Sequence, residues 1–213
     1  MLVGLSRVSR PMKRTLAVLS LLVAASAFAD NRSYTITVDG KNYANFESAA
    51  TLETIKGTTT KVSGTIAADP ANPAAAAVDI SIDLASLDTG IAMRNEHLRE
   101  RYLAAEKFPA ATFKSVSVSG PKSILPNQPI EVSVTGDMTL HGVTRRITVP
   151  VRVVVIPESE LTRSSRGPGD WIHATTTFPI KLTDFGIAVP EKMLMKLSNE
   201  ISIKVDVFAV TKQ

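Results

Sequence analysis

An all-β fold of about eight antiparallel strands with one inserted helix is the class this sequence predicts, and three observations predict it. Apolar residues recur with a period of two rather than 3.6 over most of the chain. Clusters of Gly, Pro, Asn and Asp punctuate those runs at short intervals. One segment alone, residues 91–103, replaces alternation with a helical stripe.

The first element is not part of that fold. Residues 1–29 hold Arg7, Arg10, Lys13 and Arg14 and no acid, then an apolar run over 16–23 and small residues up to Ala27-Phe28-Ala29. A basic start, a short apolar stretch and an A-x-A site predict a secretory signal peptide cleaved after Ala29. The run is shorter than the roughly 20 residues that span a bilayer. Met12 is a second candidate start codon, which would leave residues 1–11 untranslated. Residues 30–213 are expected to form one domain, and an exported chain without cysteine points to the bacterial periplasm.

The strands follow in order. Residues 33–38, 43–49 and 60–68 are the first candidates; then Val78, Ile80, Ile82 and Leu84 alternate with Asp79, Ser81 and Asp83. After residues 111–118, Ile130, Val132, Val134, Met138 and Leu140 alternate with polar neighbours. Residues 146–156 and 171–182 come next, and Ile201, Ile203, Val205 and Val207 mark the last strand. Alternation of this kind is how a strand looks with one face on an apolar interior and the other in water. Asp69-Pro70-Ala71-Asn72-Pro73, Gly120-Pro121 and Pro126-Asn127-Gln128-Pro129 supply breaks, His141-Gly142 suits a tight hairpin, and residues 157–170 read as loop. In the helical segment Ile91, Leu98 and Tyr102 share a face, with Arg94, Glu96, His97, Arg99 and Glu100 mainly off it. Eight or nine strands and no parallel crossover leave a two-sheet sandwich or a closed barrel, and a barrel of about eight strands is either filled by side chains or holds one slender ligand.

Charge and chemistry narrow the function. The net +4 belongs to residues 1–29, and residues 30–213 carry 20 basic and 20 acidic side chains, so the electrostatic case for nucleic-acid binding disappears. His97, His141 and His173 are too scattered for a metal cluster, and there is no nucleophile elbow or phosphate-cradling loop. No metal or cofactor is expected, and the chain does not read as an enzyme.

Residues 88–98 (Asp88-Thr89-Gly90-Ile91-Ala92-Met93-Arg94-Asn95-Glu96-His97-Leu98) and 106–115, followed by residues 134–145 and by Leu182-Thr183-Asp184-Phe185-Gly186-Ile187, resemble in order the YceI-like, polyisoprenoid-binding family of bacterial periplasmic proteins. Two positions depart from that pattern: Asn95 stands where an Asp is expected, and the early F-x-x-x-H strand reads Phe46-Glu47-Ser48-Ala49-Ala50, without the His. The resemblance implies a lipocalin-like barrel holding a long apolar isoprenoid, quinone-like or related amphipathic lipid, as a carrier rather than a catalyst.

Under that implication Tyr34, Ile36, Val62, Ile66, Ile80, Ile82, Val132, Val134, Ile203 and Val205 face inward, as core or as cavity wall. Phe46, Phe113, Met138, Trp171, Phe178 and Phe185 are the candidate cavity residues, although Trp171 lies on the strand face opposite Ile172, Ala174, Thr176 and Phe178. Met93, Arg94, His97, Met193 and Met195 are candidates for the mouth or for contact with a head group. The bland alternative for the charged ones is a solvated helix with internal pairs such as Glu96–Arg99. Transient membrane contact and a homodimer are the expected associations. The rival function is an envelope stress or interaction module with a filled barrel and no lipid.

Overall fold

The computed structural model describes residues 31–37 and 41–211, so the expected signal peptide lies outside the described residues. Ten strands form one antiparallel sheet: β1 (Arg32–Ile36), β2 (Tyr43–Ala49), β3 (Thr54–Thr59), β4 (Val62–Ala68), β5 (Ala77–Asp83), β6 (Ala110–Ser119), β7 (Ile130–Leu140), β8 (Val143–Ile156), β9 (Trp171–Lys181) and β10 (Glu200–Thr211). Eight of them close a ring in the order β1-β4-β5-β6-β7-β8-β9-β10, with β10 returning to β1. The fold is a closed, lipocalin-like barrel, as the resemblance implied.

The ring closes through a split edge. One edge of β10 pairs with β9 along residues 200–210; the other pairs first with β2 over residues 202–206 and then with β1 over residues 209–211. β2 and β3 form a hairpin hung on that edge, and β3 is a strand that periodicity does not predict. Its sequence, Thr-Ile-Lys-Gly-Thr-Thr, has no apolar alternation to read.

Elsewhere the alternation holds. In β7, Val132, Val134, Met138 and Leu140 are buried, and in β10 so are Ile201, Val205, Val207 and Ala209. At His141-Gly142 both φ angles are positive, 52° and 76°, the geometry of a primed hairpin turn that feeds Leu140 directly across from Val143.

Two α-helices and three short 3-10 turns accompany the barrel among the described residues. Helix α1 (Ala92–His97) runs on into a π-helical turn over Leu98–Tyr102, within the segment expected at 91–103. Leu98 and Tyr102 pack on the core, whereas Ile91, the third member of the predicted stripe, is 52% exposed. Helix α2 (Glu160–Arg166) occupies the region read as loop. It is nucleated by a capping box: Ser159 Oγ accepts from the Thr162 N–H at 3.1 Å, and Thr162 Oγ1 accepts from the Ser159 N–H at 2.7 Å.

Candidate functional site

The barrel interior is not filled. It holds a deep chamber of about 140 Å³ and a wider one of about 420 Å³ beside α1. Ile82, Ala111, Met138 and Ile203 line both, so the two chambers adjoin across a waist made by these four side chains.

Strand parity builds the deep half. Ile66 of β4, Ile80 of β5, Phe113 of β6, Val132 and Val134 of β7, Ala174 and Phe178 of β9 and Val205 of β10 all turn inward there. Thr112 and Thr176 are the only lining residues with polar side chains, and the Thr176 hydroxyl already donates to the Pro150 carbonyl at 2.6 Å. Pro70, Pro73 and Ile124 also line this half, tied by the Ile124 N–H donating to the Pro70 carbonyl at 2.8 Å. Among the described residues no carboxylate, imidazole, amine or thiol lines this half.

The wider half is the mouth, and among the described residues the charged and imidazole side chains of the lining all belong to it. Phe46, Ile91, Met93, Leu98, Tyr102, Met193 and Leu197 supply apolar wall beside Glu53, Thr89, Arg94, His97 and Lys196. Arg94 is fully engaged: Nη1 donates to Glu53 Oε1 at 2.8 Å, Nε to Thr89 Oγ1 at 3.0 Å, and Nη2 to the Thr89 carbonyl at 3.1 Å. The partner of Arg94 is thus Glu53 on the β2–β3 connection, and no Glu96–Arg99 ion pair is found among the described residues. His97 and Lys196 line the mouth with side chains that have no hydrogen-bond or ion-pair partner among the described residues.

Asn95 explains why its amide suits this chain. Its Oδ1 accepts from the Thr89 N–H at 2.8 Å and the Thr89 hydroxyl at 2.7 Å, while Nδ2 donates to Asp88 Oδ1 at 2.7 Å. The Gly90 N–H also donates to Asp88, and these bonds, backbone first and Asn95 second, hold the Asp88 carboxyl below its ordinary value of 3.8. The network fixes the loop that launches α1 across the mouth.

Not every predicted residue is at the cavity. Phe46, Phe113, Met138 and Phe178 line it, as do Met93, Arg94, His97 and Met193 at the mouth. Trp171 does not: it is buried on the outer face, where Nε1 donates to the Gly167 carbonyl at 3.3 Å and the Arg166 guanidinium lies 5.8 Å from its ring. Phe185 packs in the core behind the wall, its carbonyl 3.3 Å from His141 Nδ1. Met195 points to solvent on the rim, its carbonyl accepting from the Leu52 N–H at 2.8 Å. Tyr34, Ile36 and Val62 are buried core that lines neither chamber. Lys196 and Glu53 are mouth residues that sequence reasoning missed, because both sit in irregular segments where periodicity carries no information.

The rim itself is apolar. Leu52, Ile91, Met93, Leu194 and Met195 are all large and exposed, and they come from three segments held together by the Leu52–Met195 and Glu53–Arg94 contacts. Among the described residues no three His, Asp or Glu side chains gather as metal ligands, and no helix is long and apolar enough to cross a membrane.

Comparison with known proteins gives a consistent picture. The profile of the YceI-like domain matches residues 31–209. A UPF0312 protein of Vibrio cholerae is 33% identical over 208 residues, covering 94% of this chain and all of that one. The protein YceI of Escherichia coli O157:H7 is 32% identical over 162 residues, 74% of each chain. Among solved structures, BcnA of Burkholderia cenocepacia superposes with a TM-score of 0.66 at 25% identity, covering 82% of this chain and 99% of that one. A polyisoprenoid-binding domain from Saccharophagus degradans superposes with a TM-score of 0.65 over 85% of this chain and 99% of that one; at 18% identity the likeness is one of fold alone.

Proposed function

This chain belongs to the YceI-like family, and from that premise we propose that it is a non-enzymatic binding protein which holds a long-chain isoprenoid, quinone-like or related amphipathic lipid in its barrel. The observation that carries the reading is the interior: two adjoining, largely apolar chambers whose charged lining residues all belong to one of them.

That asymmetry gives the guest a direction. A tail seats in the deep half, where burying a polar group without a partner is costly. The head stays at the mouth, within reach of His97 and Lys196. Each buried methylene gains about 0.8 kcal/mol, so tails of roughly ten carbons or more are needed to offset an association cost of about 4–15 kcal/mol. Length and fit therefore supply the affinity, and no reactive centre is required.

Two further parts of the proposal concern place and partner. The basic and apolar pattern of residues 1–29, ending in Ala27-Phe28-Ala29, supports export to the periplasm. The exposed apolar rim supports transient contact with a membrane, which spares the lipid a passage through water during loading.

Native mass spectrometry of protein purified from its own envelope tests the proposal. A co-purifying lipid at close to one per chain is expected. A bare protein mass under gentle conditions, together with no uptake of added polyprenol, would favour the rival interaction module instead.

A further inference from the structure

The waist divides the cavity unequally. The wider chamber, about 420 Å³, has the size of an ordinary small-molecule site of about 300–1,000 Å³, and the deep one does not. An apolar cavity of about 150 Å³ stays dry and admits one benzene-sized hydrocarbon. The deep chamber, about 140 Å³, thus has room for little more than one isoprene unit.

The waist is also the narrowest choice of side chains. Ile82 and Ile203 are branched, Met138 is flexible, and Ala111 is the one small residue of the four, so its side of the waist carries the least side-chain bulk. Ala111 is buried and directly opposite Ile82 in the β5–β6 ladder, which fixes its position.

Resting on the lipid-binding reading above, we propose that the waist and the deep chamber form a length gauge, with Ala111 and Met138 as specificity-determining residues. The mouth chamber accepts the head-proximal part of any sufficiently apolar tail. Only a tail long enough to pass Ala111 and Met138 gains the last seat, and a still longer one outgrows a chamber of about 140 Å³.

The test uses geraniol, farnesol, geranylgeraniol and longer polyprenols, each displacing the fluorescent probe N-phenyl-1-naphthylamine. In the unmodified protein affinity should climb with each isoprene unit and then level off, the last productive unit adding about tenfold or more. Ala111→Phe narrows the waist, and Ala174→Leu fills the deep chamber from β9. Each should bring the plateau about one isoprene unit earlier, reducing that last increment to less than about twofold while shorter tails bind as before. Ala174→Leu grows into space already empty, so it keeps the test valid should Ala111→Phe fail to fold. An unmoved plateau in a folded variant, equal weakening at every length, or binding by the unmodified protein without any length dependence would overturn the gauge. No binding of any member by the unmodified protein would instead overturn the lipid-binding reading on which it rests.

Discussion

The ring of Phe113 lies so close against Gly136 that a Cβ at position 136 would stand 2.4 Å from Phe113 Cζ and 2.6 Å from the Lys114 carbonyl oxygen. The glycine on β7 is what lets a cavity-lining ring fold flat against the wall. Gly136→Ala meets a ring that can swing and a backbone that cannot. We expect a loss of about 1–3 kcal/mol, read from denaturant unfolding, with weaker uptake of N-phenyl-1-naphthylamine as the ring is displaced.

Phe178 and Phe185 make a contrasting pair, because only Phe178 lines the cavity. Phe178→Asp places a carboxylate in a space without polar partners and should abolish uptake of the probe. Phe185→Leu should cost stability while leaving uptake within about twofold, since the lost contacts lie in the core behind the wall. Thermal melts beside the binding assay separate the two effects.

The Asp88–Asn95 bond predicts a pH dependence of definite sign. The Asp88 carboxyl titrates below its ordinary value when folded, so its contribution is complete above the usual carboxylate range and is lost as pH falls through the depressed value. Asn95→Asp replaces a donor with a second carboxylate 2.7 Å away. One carboxyl of the pair is then pushed up instead, so the melting temperature should drop at neutral pH and the deficit should shrink on acidification. A deficit independent of pH would exclude this account.

The exposed rim should govern contact with lipid surfaces. Met93→Glu and Met195→Glu are expected to reduce co-sedimentation with phosphatidylethanolamine–phosphatidylglycerol vesicles several-fold. Leu125→Glu, at an exposed site remote from the mouth residues in sequence and outside both chambers, serves as the control that changes little.

Export makes the simplest prediction. Amino-terminal sequencing of the protein recovered from the periplasmic fraction should begin at Asp30. Recovery of an unprocessed chain from the cytoplasm would remove the signal-peptide reading.

How far the molecule was legible in its sequence depends on what each segment had to signal. β7 and β10 bury alternate residues, so period two declared them. β3 turns Ile55, Gly57 and Thr59 to its more buried face, and Phe46 lies over Gly57, where a Cβ would come within 2.2 Å of the ring. With one aliphatic residue on that face, its alternation in burial leaves no apolar period in the sequence. Helix α2 stayed hidden because its capping box uses Thr162 where a Glu or Gln is the usual sign. At the site, parity placed Phe113, Met138 and Phe178 but spoke against Trp171, whose ring shape had suggested a cavity wall. Glu53 reaches Arg94 from 41 residues away in the chain, and no local pattern announces such a partner.

β10, the strand that joins both ends of the sheet, follows the other nine described strands in the chain. It holds β9 along one side and β2 and β1 along the other. Closure of the ring thus depends on a single strand, residues 200–211, and any loss of its pairing with β1 or β9 would open the barrel wall along its whole length.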